Sequence, residues 1–179
     1  MGRHRIPTAG RALIRSLLIA AQWFGYCAPG SPCHSGPMEV SAADVARMPA
    51  GNLRVPRAEF AAVWAAAEAH QEEQARRQVA DWYGAGVVMT CRWVAGATVR
   101  PANGPWRPAR SPVTERLNQA YEELIEAEYF AAERLAMRRP VPDWLAARPG
   151  WIEAVLATLD WSWRGSRRSP LEHRSDIAG

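Results

Sequence analysis

The stretch Val79–Val99, VADWYGAGVVMTCRWVAGATV, decides how this chain folds. Trp82, Gly86, Met89 and Trp93 recur at helical spacing, and Tyr83, Val87 and Val94 line another side. A segment that is apolar nearly all round at this period reads as a buried helix, so the other elements are expected to pack around it. Val87 and Val88 also permit a short buried strand, but no second β-rich segment is there to pair with it, and an unpaired strand is not viable. Gly84 and Gly86 weaken a helix, and the expected return is close approach of a neighbouring backbone. Arg92 is the single charge between Trp82 and Val99.

Upstream, Ser41 and Asp44 suggest a capped short helix that Pro49 and Gly51 stop. After Pro56, the spacing of Phe60, Val63, Trp64 and Ala67 predicts the first long helix. The apolar stripe turns polar through HQEEQARRQ, His70–Gln78. With no Gly or Pro to force a turn there, one continuous or slightly kinked helix into Val79–Val99 is expected. His70 and Glu73 stand one turn apart, a spacing that suits a metal, but a lone His-x-x-Glu pair on a charged helix reads as a solvated face.

Downstream, RPANGPWRPARSPV, residues 100–113, is rich in Pro and turn dipeptides and reads as a surface loop. Arg100, Trp106, Arg107 and Arg110 make it a candidate contact surface. Thr114 is expected to cap a helix running to about Arg139, with Leu117, Tyr121, Leu124, Ala131, Ala132 and Leu135 on its apolar face. Glu128 projects from the middle of that face. A buried carboxylate needs a partner, and Arg92 is the matching charge, so a buried Arg92–Glu128 pair is expected to set the register of the two helices. Asp143 caps a short turn, and Pro149 starts a last helix with Ile152, Val155, Leu156, Leu159 and Trp163 inward and Gly165 as its stop. Trp161 falls on the far side as a second candidate contact, and residues 166–179 read as a flexible tail.

Composition fits one soluble domain: of 179 residues, 48% are hydrophobic, 22% are charged and nine are Trp. All 22 basic residues are Arg. Four of them lie in residues 1–37, which hold no acid, while the remainder has 18 Arg against 18 Asp plus Glu. A body of zero formal charge lacks the footprint of non-specific nucleic-acid binding. Residues 1–37 read as a disordered leader, as a mis-called start with Met38 the true one, as an amphipathic segment, or as a signal peptide. The apolar run Leu17–Tyr26 is too short to span a bilayer, and no transmembrane segment is expected. Cys27, Cys33 and Cys91 form neither a disulfide framework nor a zinc site, which fits a cytoplasmic setting, with secretion as the alternative if the leader acts as a signal.

No phosphate loop, nucleophile elbow or complete metal motif is present. Glu122-Glu123-x-x-Glu126 resembles the helix signature of the MazG-type all-α nucleotide pyrophosphohydrolases. The resemblance implies magnesium held over a triphosphate by Glu122, Glu123 and Glu126. It stops at that pentapeptide, since Glu153 is followed three residues later by Leu156 where those enzymes carry Asp. The phrases Asp81-Trp82-Tyr83, Thr90-Cys91-Arg92-Trp93, Tyr121–Glu128 and Arg148-Pro149-Gly150-Trp151 resemble a set of small all-helical proteins of high-GC actinobacteria, some of them near mobile elements. That resemblance carries no activity and implies a cytoplasmic accessory role. The sequence therefore leads to an all-α domain over 38–165, of about four main helices around a central apolar one. The expected function is non-enzymatic protein interaction with an unknown partner and no cofactor. The alternatives are a magnesium-dependent nucleotide hydrolase and a weak nucleic-acid-associated protein.

Overall fold

The computed structural model describes Val40, residues 42–100 and residues 104–177; the readings of residues 1–37 and of Ser41 lie outside the described residues. The chain divides into two units, Pro37–Val99 with Arg107–Gly179, and Met1–Gly36 with Arg100–Trp106. In the second, Arg100 is exposed, as is Trp106 at 63%. Every described helix belongs to the first.

That unit is mostly helical. Helix α1 (Ala42–Arg47) leads to a 3-10 turn at Ala50–Asn52. Asn52 is buried, and its side-chain amide donates to the carbonyls of Val94 at 2.9 Å and Ala120 at 3.0 Å, tying together two segments that would otherwise end in unmet acceptors. Helix α2 (Arg57–Arg76) follows Pro56 and buries Phe60, Trp64 and Ala67.

The expected continuity of α2 into the apolar stretch is corrected. Gln78 takes a positive φ of 56°, Val79 N–H donates to Gln74 O, and Gln78 N–H donates to Ala75 O. This is the Schellman pattern, here closed by glutamine in the left-handed position rather than glycine. Asp81 then caps helix α3 (Trp82–Val94) by accepting from Gly84 N–H at 3.1 Å. A stop and a restart therefore occupy the five residues between α2 and α3, without the Gly or Pro that would have marked them.

Helix α3 is buried nearly all round, as its sequence requires. It packs chiefly against α6 (Trp151–Arg164) and also against α2. A Cβ on Gly86 would stand 2.7 Å from the Trp151 carbonyl oxygen and 2.9 Å from the Ala154 Cβ, so glycine is what lets the α3 and α6 backbones come this close.

After α3 the end of the stretch expected to be helical, β1 (Thr98–Val99), forms one short antiparallel ladder with β2 (Arg107–Pro108), which lies in the segment expected to be all loop. Pro108 is tolerated because a two-residue edge strand asks little of its missing amide. The helix expected from Thr114 is also corrected. Residues 115–121 are irregular, with Glu115 at a φ of 55°, and helix α4 spans Glu122–Met137. Leu117 and Tyr121 are consequently half exposed rather than on its inner face, which buries Ile125, Glu128 and Ala132.

Helix α5 (Asp143–Ala146) and Gly150, at a φ of 79°, lead into α6, which ends at Gly165 as expected. Helix α6 contacts α3, α4 and a further helix, α7 (Pro170–Ile177), so it shares the centre with α3. Being enclosed on several sides, α6 buries Trp161 as well as Ile152, Val155 and Leu159 of the expected stripe, whose Leu156 and Trp163 are only half-buried. Trp161 is 1% exposed and stacks on Phe60 of α2, with centroids 5.8 Å apart and planes within 6°. It is a core residue, and its expected role as a surface contact is withdrawn. Helix α7 itself occupies residues read as a flexible tail.

Candidate functional site

The expected Arg92–Glu128 pair does not form. Arg92 is on the side of α3 that faces α2, where its Nε and Nη2 each donate at 2.7 Å to the two oxygens of Glu68. Trp64, one turn earlier on α2, donates its indole N–H to the same carboxylate at 2.8 Å. The two charged side chains are only 11% and 20% exposed, so the fork-to-fork pairing and the indole bond together offset their desolvation.

Glu128 is satisfied by a different device. Its Oε1 accepts from the backbone N–H groups of Val113, at 2.5 Å, and Thr114, at 2.9 Å, and its Oε2 accepts from the Thr114 hydroxyl at 2.6 Å. A turn of main chain thus replaces the arginine. Ser111 reinforces that turn by sharing a bond with the Thr114 hydroxyl and accepting from Arg116 N–H. A cavity of about 100 Å³ lies beside Glu128, bordered by Trp93, Leu124 and Ala131.

The remaining predicted site residues scatter. Arg110 reaches Glu115 at 3.9 Å and Arg107 is half-buried, and the Nε of each is buried without a partner. Glu122 binds Arg54 at 3.2 Å, and Glu123 and Glu126 are exposed on α4. Among the described residues no three His, Cys, Asp or Glu side chains come together to hold a metal ion, so the carboxylates of the magnesium alternative do not form a site by themselves. Cys91 is fully buried and its thiol is pushed up by that burial, with Glu68 adding to the shift and Arg92 opposing it. A thiol held in its neutral form is not a nucleophile.

The densest unpredicted constellation is at the α2–α3 turn. Asp81, whose side chain is 9% exposed, uses Oδ1 to cap α3 and Oδ2 to accept from Arg174 Nη1 at 2.8 Å and Gln71 Nε2 at 3.1 Å. His70 Nε2 lies 2.9 Å from both Asp81 Oδ2 and Arg174 Nη1. A guanidinium only donates and a carboxylate only accepts, so Nε2 serves one of the two neighbours at a time, accepting from Arg174 or donating to Asp81 according to the ring tautomer. Glu73, the other half of the His-x-x-Glu spacing, pairs instead with Arg76 at 2.8 Å.

Tyr83 completes this cluster. Its ring lies 5.9 Å from the Arg174 guanidinium, and its hydroxyl donates to Pro170 O at 2.8 Å. Burial pushes the phenol up to about 12, against an opposing pull from Arg174 and with a smaller upward push from Glu153. Beside Tyr83 in sequence, the Trp82 ring lies 5.3 Å from the Arg148 guanidinium, which is also 5.3 Å from the Trp144 ring and whose pKa burial lowers. The signals that were missed were specific ones. Asp81 follows the last polar residues of α2 as a helix cap, and Ser169-Pro170-Leu171-Glu172 spells a capping box with proline at the first helical position.

No family model matches this chain, and neither a curated protein nor a solved structure is found to be similar to it. No described helix is long and apolar enough to cross a membrane.

Proposed function

We propose that this protein acts through protein contact rather than catalysis, as an accessory or interaction protein, and that the outward face of α4 is its contact surface. The observation that carries the reading is a second apolar line on a helix whose first is already buried. Phe130 and Met137, two turns apart, are 45% and 69% exposed, while Ile125 and Ala132 face the core. Glu123 continues the same line, and Glu126 and Glu133 flank it against a single base, Arg134. A face of this kind suits an amphipathic helical segment with basic residues beside its apolar ridge. Trp106, in the other unit, remains an exposed contact residue from the loop read at the sequence level.

The test is affinity capture with the full chain beside its Phe130→Glu/Met137→Glu variant, followed by direct titration of the captured protein. A partner with a basic amphipathic helix is expected to bind the unsubstituted chain alone, and more weakly as salt rises. Equal binding to both chains contradicts the reading. So does magnesium-dependent hydrolysis of nucleoside triphosphates that is lost in Glu122→Gln and Glu126→Gln.

A further inference from the structure

Helix α7 is held in a way that sets it apart from the core helices. Its N-terminus closes on itself: Ser169 N–H donates to Glu172 Oε2 at 2.8 Å, Glu172 N–H reaches Ser169 Oγ at 3.4 Å, and Pro170 takes the first helical position. The bond from the Ser169 N–H to its carboxylate lowers the Glu172 pKa, and the Ser169 side chain adds a smaller pull in the same direction. Gly165, at a φ of 73°, ends α6 and separates it from α7. Against the core the helix offers the buried Pro170 and the partly buried Leu171, and polar ties fasten it further: the Tyr83 hydroxyl on Pro170 O, and Arg174 on Asp81 and His70. A helix of eight residues has little stability of its own in water, so it stays ordered only while those ties hold.

The receiving side is a complete arginine-recognition site. It supplies a nearly buried carboxylate, a histidine ring nitrogen within hydrogen-bond distance and an aromatic face, three kinds of group that a guanidinium contacts at once. The carboxylate is held in place by the α3 cap and by Gln71, so the site does not depend on its occupant for its shape. We propose that the pocket formed by His70, Asp81 and Tyr83 recognises an arginine on a partner segment, and that α7 closes it in the resting chain by presenting Arg174 in the partner's place. The pocket is a second interaction site, independent of the α4 face. The local helix closure lets α7 leave and return as a unit, and the entering arginine replaces the contacts that α7 gives up.

The experiment uses the full chain and a labelled peptide of residues 166–179 as the arginine-bearing probe, read by fluorescence anisotropy at physiological salt. Arg174→Ala, which empties the pocket, is expected to bind the probe at least about tenfold more tightly than the unsubstituted chain, whose pocket is mostly closed. A probe carrying alanine at the Arg174 position is expected to lose that gain, and so is the Arg174→Ala/Asp81→Asn chain, in which asparagine keeps the helix cap and loses the charge. Binding that does not depend on the probe's arginine overturns the proposal. A second readout does not need the variant to fold: saturating probe is expected to speed hydrogen exchange of the α7 amides in the unsubstituted chain, and unchanged exchange under those conditions overturns the proposal as well.

Discussion

Arg92 and Glu128 show two ways for a helical interior to keep a charge. Arg92 is held by another side chain, and removing one member strands the other. Glu68→Gln or Arg92→Met alone is expected to cost about 3 kcal/mol of unfolding free energy, and the double substitution less than the sum of the two, measured as a double-mutant cycle by denaturant titration. Glu128 is held by main-chain donors, so its environment depends on the Val113–Thr114 turn and not on any cation. Burial of each residue was legible in its surroundings, since a lone charge in an apolar face can be read from spacing. The partner was not. Glu68 borders the α2 stripe one turn after Trp64 and looks there like an ordinary solvent-facing glutamate. The 111–114 turn reaches Glu128 only because residues 115–121 leave the helical path, a departure that Glu115 makes at a positive φ without a glycine to announce it.

At the scale of elements, the long helices and the Gly165 stop follow from periodicity and capping, while the breaks rest on single residues. Gln78 and Asp81 end one helix and begin the next, and Ser169 and Glu172 build α7 from what composition reads as a tail. Contact between α3 and α6 was foreshadowed by the glycines, and Gly86 makes it quantitative. Gly86→Ala gains at most about 1 kcal/mol of helix propensity. It also forces a methyl onto the Trp151 carbonyl, an overpacking that costs about 1–3 kcal/mol, so a net loss is expected in thermal unfolding. The α7 contact carries its own signature in pH. The Tyr83 phenol ionises near 10 when unfolded and only near 12 when folded, because burial disfavours the phenolate. Its contribution to stability is therefore full below pH 10 and is lost as pH rises toward 12. Tyr83→Phe is expected to lower the melting temperature at neutral pH, by removing the bond to Pro170, and to flatten the melting profile between pH 10 and 12. Cys91 also destabilises the fold in alkali for the same reason of burial, so the comparison between the two chains is what isolates the tyrosine.

Over the first unit as a whole, stability is graded. Helices α3 and α6 carry the tightest approach and much of the large aromatic burial, including Trp93, Trp151 and Trp161, so their amides open only with global unfolding. Helix α7 is fastened chiefly by polar ties around one arginine and covers a site already shaped to receive one. The α4 helix, by contrast, is fixed to the core through Ile125, Glu128 and Ala132, while Phe130 and Met137 are exposed. Under the proposals made above, such a protein combines a rigid scaffold with one permanent contact surface and one covered by its own chain. Residue-resolved hydrogen exchange of the full chain at neutral pH is the most direct test. The account predicts that α3 and α6 amides exchange only at the global unfolding free energy. It predicts that α7 amides exchange through a smaller, separate opening that Arg174→Ala makes easier without changing α3. Exchange of α7 at the same free energy as α3, with Arg174→Ala lowering both together, would contradict it.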